Sequence, residues 1–171
     1  MNGDDPLLTN QDVAIPSGES DVQAPENQLT PSADAVTDWF LQELVDMANY
    51  SDDGEGVQVT LVTHGFMQSG QLISGPLYFK LLADEMSADL EGDVAERVRS
   101  FFNNFGEGLK KATEDDSNRY PPNYYHLKNA RCFHNSGAPV PNDNGVLIRG
   151  RIREVASFWH GNLVWGNDKN K

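Results

Sequence analysis

The chain has 171 residues, a single cysteine and a formal net charge of −13. That length holds one domain with a real core plus accessory segments, and 38% hydrophobic residues leaves part of it too polar to fold. Cys132 alone excludes an internal disulfide framework and a cysteine-rich zinc site, and fits a reducing compartment. No apolar run reaches the ~18 residues of a membrane span. The N-terminus lacks the basic and apolar regions of a secretory signal, so the expectation is a cytoplasmic protein.

The charge is unevenly placed. Residues 1–79 hold 13 Asp/Glu and no Lys/Arg; Lys80 is the first basic residue. Residues 80–171 carry 13 of each sign, and 119–155 is locally basic. The chain therefore reads as a polyanionic arm joined to a near-neutral body with one basic patch.

Residues 1–31 contain four prolines, no aromatic residue and no apolar periodicity. Such a segment buries too little apolar area to offset its ordering entropy, and disorder is expected. Asp34 to Tyr50 reads as the first helix, with Ser32 or Asp34 as N-cap and Val36, Trp39/Phe40, Leu44 and Met47 as its apolar face. Val57–Val62 alternates apolar and polar residues, His64-Gly65 holds the turn position, and Phe66–Ser74 returns: a β-hairpin. Gly75-Pro76 opens a helix whose Tyr78/Phe79, Leu82, Met86 and Leu90 predict a buried stripe. After a break at Gly92, Val94, Val98, Phe101/Phe102, Phe105 and Leu109 predict a second amphipathic helix. Residues 107–123 read as a polar connector.

Tyr125–Phe133, Gly145–Arg149 and Ile152–Trp159 then read as strands. His134–Asn144, with two prolines and four Asn/Asp, is a loop between the first two. Arg149-Gly150-Arg151 is too short for a hairpin loop and predicts a glycine kink bending one long strand. Five short antiparallel strands favour closure into a small barrel, which removes exposed edges. The expected fold is α+β: a five-stranded Sm-like or SH3-type barrel with an N-terminal helix and a two-helix insertion. One domain is expected over 32–165, with 166–171 a flexible tail.

The residues offer little for catalysis. His126, Cys132 and His134 would share one face of a regular strand, yet no second cluster completes a metal site. Cys132 has no adjacent base, so a buried strand cysteine is the better reading than a nucleophile. The carboxylates cluster in solvent-facing segments such as Asp52-Asp53 and 114–116, and no phosphate-binding glycine loop is present. No cofactor, no metal and no enzymatic activity are expected. The chemistry worth promoting is a basic patch of Lys128, Arg131, Arg149, Arg151 and Arg153, with Tyr120, Tyr124, Tyr125 and Trp159 nearby for stacking. Arg149, Arg151 and Arg153 alternate on a strand and would share a face. The bland alternative, a charged strand edge that guards against aggregation, is about as well supported. A docking surface for an acidic segment is the functional reading. Nucleic acid ranks lower, since the −13 arm would repel phosphate.

The pieces Val59-Thr-Leu-Val-Thr-His-Gly65, Gln71-Leu-Ile-Ser-Gly75, Tyr125-His-Leu-Lys-Asn-Ala130 and Ile148-Arg-Gly-Arg-Ile-Arg-Glu-Val155 resemble the gas vesicle accessory protein GvpU family in order and spacing. The similarity runs over about 57–163, weakens through 91–122 and is absent from 1–31. It implies a non-catalytic cytoplasmic accessory protein that associates with gas vesicle shell or accessory proteins, self-associates, and supports vesicle assembly or clustering. Leu147-Ile-Arg-Gly150 also resembles the late-strand turn of Sm-like barrels, a likeness of fold only. An Sm-like RNA-binding protein is the alternative it raises. Two helices occupy the loop such a protein would use for RNA, and Arg151 replaces its usual small polar residue.

Overall fold

The computed structural model describes residues 37–114, 120–134, 139–141 and 144–163. The expectations for the tails, 1–31 and 166–171, lie outside these. The order is α1 (Trp39–Asn49), β1 (Glu55–Thr63), β2 (Phe66–Ile73), α2 (Gly75–Ser87), α3 (Gly92–Glu114), β3 (Tyr124–Phe133), β4 (Val146–Arg151), a 3-10 turn (Ile152–Glu154) and β5 (Val155–His160). The fold class is α+β, as expected. All strand pairings are antiparallel, in the order β4-β3-β2-β1-β5.

The hairpin forms where the alternation placed it. Its turn is His64-Gly65, with Gly65 at φ 95°, a conformation glycine adopts without the usual steric penalty. Gly92, at φ 59°, likewise separates α2 from α3.

The closed barrel does not form among the described residues: β4 and β5 stand at opposite edges of the sheet with no ladder between them. The sheet is nevertheless rolled. Five flat strands would set the edges about 19 Å apart, whereas the three-residue 3-10 turn that joins β4 to β5 spans only about 6 Å. Curvature must bring the edges together. Ile152, fully buried in that turn, anchors the corner, and its N–H donates to the Asn123 carbonyl at 3.0 Å.

The bend therefore lies at Ile152–Glu154 and not at Gly150. Gly150 stays in β4, opposite Tyr125, without positive φ. Its need for glycine is steric: a Cβ there would come within 2.2 Å of the Tyr125 ring and hydroxyl. Tyr125 cannot yield easily, because it is buried and its hydroxyl donates to Gln68 Oε1 at 2.8 Å. Burial pushes the Tyr125 pKa up to about 12.

One face of the sheet builds the core from Val59, Leu61, Leu72, Tyr125, Leu127 and Ala130, closed by Leu41 and Val45 of α1. α1 begins at Trp39, later than expected. Its cap is Asp38, whose Oδ1 accepts from Phe40 N and Leu41 N at 2.9 and 3.0 Å. It also buries a different stripe. Leu41, Val45 and Ala48 face the sheet, while Trp39, Phe40 and Met47 are 73%, 51% and 62% exposed. α2 and α3 pair with each other, and α2 carries Tyr78 to the other face of the sheet. Of the stripe expected in α2, Tyr78 is buried while Met86 and Leu90 are exposed, and the other buried positions are small ones: Ala83 and Ser87 of α2, Ala95 and Gly106 of α3. α3 also runs to Glu114, into the first part of the 107–123 stretch expected to be connector.

Candidate interaction site

The β3–β4 register sets Tyr124 opposite Arg151 and His126 opposite Arg149. Since alternate residues share a face, these four project from the face opposite the core. The Arg149 guanidinium lies over the Tyr124 ring, 3.7 Å from its centroid, and Arg149 Nε donates to His126 Nε2 at 3.3 Å. His126 is buried between this arginine and α2, with the Tyr78 ring centroid 4.6 Å away. Burial and then the Arg149 charge hold its pKa down to about 3. The imidazole is thus neutral, with its proton on Nδ1, which has no hydrogen-bond partner among the described residues.

Arg149 is therefore committed to the fold. Arg151 and Arg153 come together beyond it, lining a shallow pocket of about 300 Å³ with Asn123 and Tyr124. The 3-10 turn makes this possible by swinging Arg153 round beside Arg151. Among the described residues Arg151 pairs with Glu154, at 3.6 Å, and both side chains are solvent-exposed. Such a pair contributes under about 1 kcal/mol and is readily exchanged for another carboxylate.

The rest of the expected patch lies elsewhere. Lys128 is ion-paired with Glu55 of β1. Arg131 stands opposite Ser69, which stands opposite Thr60, which stands opposite Trp159. These four form a row across the sheet, about 20 Å along β3 from Tyr124. A polar network pins the end of the described chain over that row. Thr60 Oγ1 donates to the Gly161 carbonyl at 2.8 Å, and Leu163 N donates to Ser69 Oγ at 2.8 Å.

His126, Cys132 and His134 do not converge. Asn129, at φ 51°, makes a bulge that shifts the register, so Lys128 faces Gln71 while Cys132 faces Gln68, on the other side of the sheet. Burial raises the Cys132 pKa, which disfavours its thiolate. Among the described residues no three His, Cys, Asp or Glu side chains are grouped to hold a metal ion. A larger cleft, about 520 Å³, lies between the α1–β1 turn, α2 and α3. Its carboxylates Asp52, Asp53 and Glu107 are offset by Lys80 and Lys110, and Asp53 is spent on the turn, accepting from Ser51 Oγ and Glu55 N. Those bonds hold the Asp53 pKa below the usual carboxylate value.

A family model described as "Gas vesicle protein GvpU-like" matches residues 38–163, which takes in every strand and helix described above. The protein is thus related to gas vesicles. More particularly, the chain belongs to the GvpU-like family. No curated protein and no solved structure matches it. Among the described residues, no helix is long and apolar enough to cross a membrane.

Proposed function

We propose that this is a non-enzymatic, cytoplasmic accessory protein of gas vesicles that docks acidic segments in the Arg151/Arg153 pocket and so supports vesicle assembly or clustering. Family membership supplies the setting. The observation that carries the docking role is the pairing of two exposed guanidinium groups beside a tyrosine ring on a chain whose formal charge is −13. Arginine forks bind carboxylates in bidentate fashion, and a tyrosine edge adds contact area. The partner is an acidic stretch of a vesicle shell or accessory protein, or of another copy's residues 1–79. Individually weak contacts sum when many are offered on one vesicle surface. We read the rolled sheet as an open form of the small Sm-like barrel, on the strength of its strand order and its β4–β5 corner.

Co-sedimentation of the full chain with purified vesicles tests this. Binding should weaken as salt rises from low concentration toward 1 M, where the screening length falls to about 3 Å. It should also weaken in Arg151→Gln/Arg153→Gln, with an unchanged circular dichroism spectrum. Arg149 is left alone because the His126 and Tyr124 contacts depend on it. Binding that ignores both salt and the double substitution overturns the docking role. No observation favours the RNA-binding alternative, and absorbance of the purified protein at 260 nm checks it.

A further inference from the structure

β4 pairs with β3 on one side, and among the described residues no strand pairs with its other side. Alternate residues of a strand turn their N–H and C=O groups to opposite sides, so half of those in β4 face outward. Val146–Arg151 contains no proline, no lysine and no bulge of its own, devices that keep an exposed edge from accepting another strand. The two charges it carries, Arg149 and Arg151, are both positive. The two faces of this edge differ. On the face opposite the core stand Arg149 and Arg151, with Arg153 and the pocket just beyond. On the core face stand Val146, opposite the buried Ala130, and Ile148, opposite the buried Leu127. Val146 is 40% exposed and Ile148 is only partly buried, so the rim of the core lies open along β4.

We propose that the acidic segment taken up at the Arg151/Arg153 pocket binds as an added β-strand along the free edge of β4, with carboxylates on one face and apolar side chains on the other. This rests on the docking role proposed above and adds the partner's conformation and residue pattern. Every pairing in the sheet is antiparallel, and the added strand follows suit. Its carboxylates then stand opposite Arg151 and Arg149, and its apolar side chains stand opposite Ile148 and Val146. From N- to C-terminus the recognised pattern is acidic, any, acidic, apolar, any, apolar. Backbone hydrogen bonds supply affinity, and the two faces supply selection. The carboxylates meet the guanidinium groups, while the apolar side chains cover the open rim. A second copy of this chain fits the edge less well. Two β4 edges would gather two arginines from each on one face. The opposite edge, β5, has no carboxylate from Val155 to His160.

Binding of a capped, fluorescently labelled peptide, Asp-Thr-Asp-Val-Thr-Val, to the full chain tests the pairing, read by anisotropy. Two methylated forms keep every charge and remove backbone N–H groups from one alternate set or the other. Only one set faces β4. Methylating that set should weaken binding at least about tenfold, since two or three hydrogen bonds are lost. Methylating the other should change little. Amide exchange followed by NMR should slow on peptide binding at alternate residues of 146–151, those whose N–H groups face outward. Equal binding by both methylated forms, with exchange in β4 unchanged, overturns the strand pairing and leaves docking by charge alone. A peptide that fails to bind at millimolar concentration overturns it too. Vesicle co-sedimentation that still depends on salt and on Arg151 and Arg153 would then show that the docking role stands without it. Outward amides of β4 that slow with rising protein concentration, with no peptide present, give the edge to a second copy and overturn the proposed partner.

Discussion

The His126 imidazole lies between the Tyr78 ring and the Arg149 guanidinium, so protonating it would bring two like charges together where water is scarce. Its folded pKa, about 3, lies below the 6.5 of a free imidazole. Unfolded chains therefore take up a proton that folded chains refuse. The stability His126 contributes is complete above about pH 6.5 and drains as pH falls from there toward 3, by up to a few kcal/mol. Urea midpoints measured from about pH 7 down to 5 should fall for the wild-type chain, above the range where most carboxylates titrate. The decline should be shallower in His126→Phe, which has no proton to gain. Equal slopes would show that His126 is hydrated in the fold.

For α1 the relevant quantity is rotation about the helix axis. Apolar residues lie nearly all round it, so two stripes compete: Trp39, Phe40 and Met47, or Leu41, Val45 and Ala48. The sheet takes the second, and Phe40 only reaches its edge, with its ring 5.9 Å from that of Phe158. Leu41→Ala should cost about 2–5 kcal/mol by opening a cavity in the core. Trp39→Ala, at a largely exposed position, should stay within about 0.5 kcal/mol. Denaturant melts of the two variants check this, and similar costs would mean that α1 is turned the other way.

The whole molecule depends on a sheet rolled far enough for a three-residue turn to pass from one edge to the other. Ile152 fills that corner and is fully buried in the main core. Ile152→Ala should destabilise by about 2–5 kcal/mol. Because Arg151 and Arg153 flank it, the same change should also weaken the vesicle binding proposed for their pocket, by loosening the angle between the two arginines. A variant that loses stability without losing binding would show that the pocket tolerates play at the corner. The rolled sheet leaves its two faces with different work. One is core under α1, and the other carries the arginine pocket and the buried His126.

Local chemistry was legible in the residues alone. Alternation marked β1, β2 and β3, His64-Gly65 marked the hairpin turn, and Gly92 marked the break between α2 and α3, because each depends on neighbours a few residues apart. The family motifs, being local too, pointed to gas vesicles. Which apolar stripe each helix buries was legible only in part: Tyr78 of α2 is buried as expected, while Met86 and Leu90 of the same stripe are exposed. α1, α2 and α3 each carry more apolar surface than one contact can cover, and close packing favoured small residues at Ala83, Ala95 and Gly106 over the larger side chains beside them. The basic patch separated for the same reason. Spacing placed Arg149, Arg151 and Arg153 on one strand. The 3-10 turn, the Asn129 bulge and the pairing with β1 and β2 then tied Arg149 to His126, Lys128 to Glu55 and Arg131 to the Trp159 row. Arg151 and Arg153 were left together at the pocket. Strand identity follows from a two-residue period, but the partner of each charge depends on which strands meet, and that is settled only when the sheet rolls.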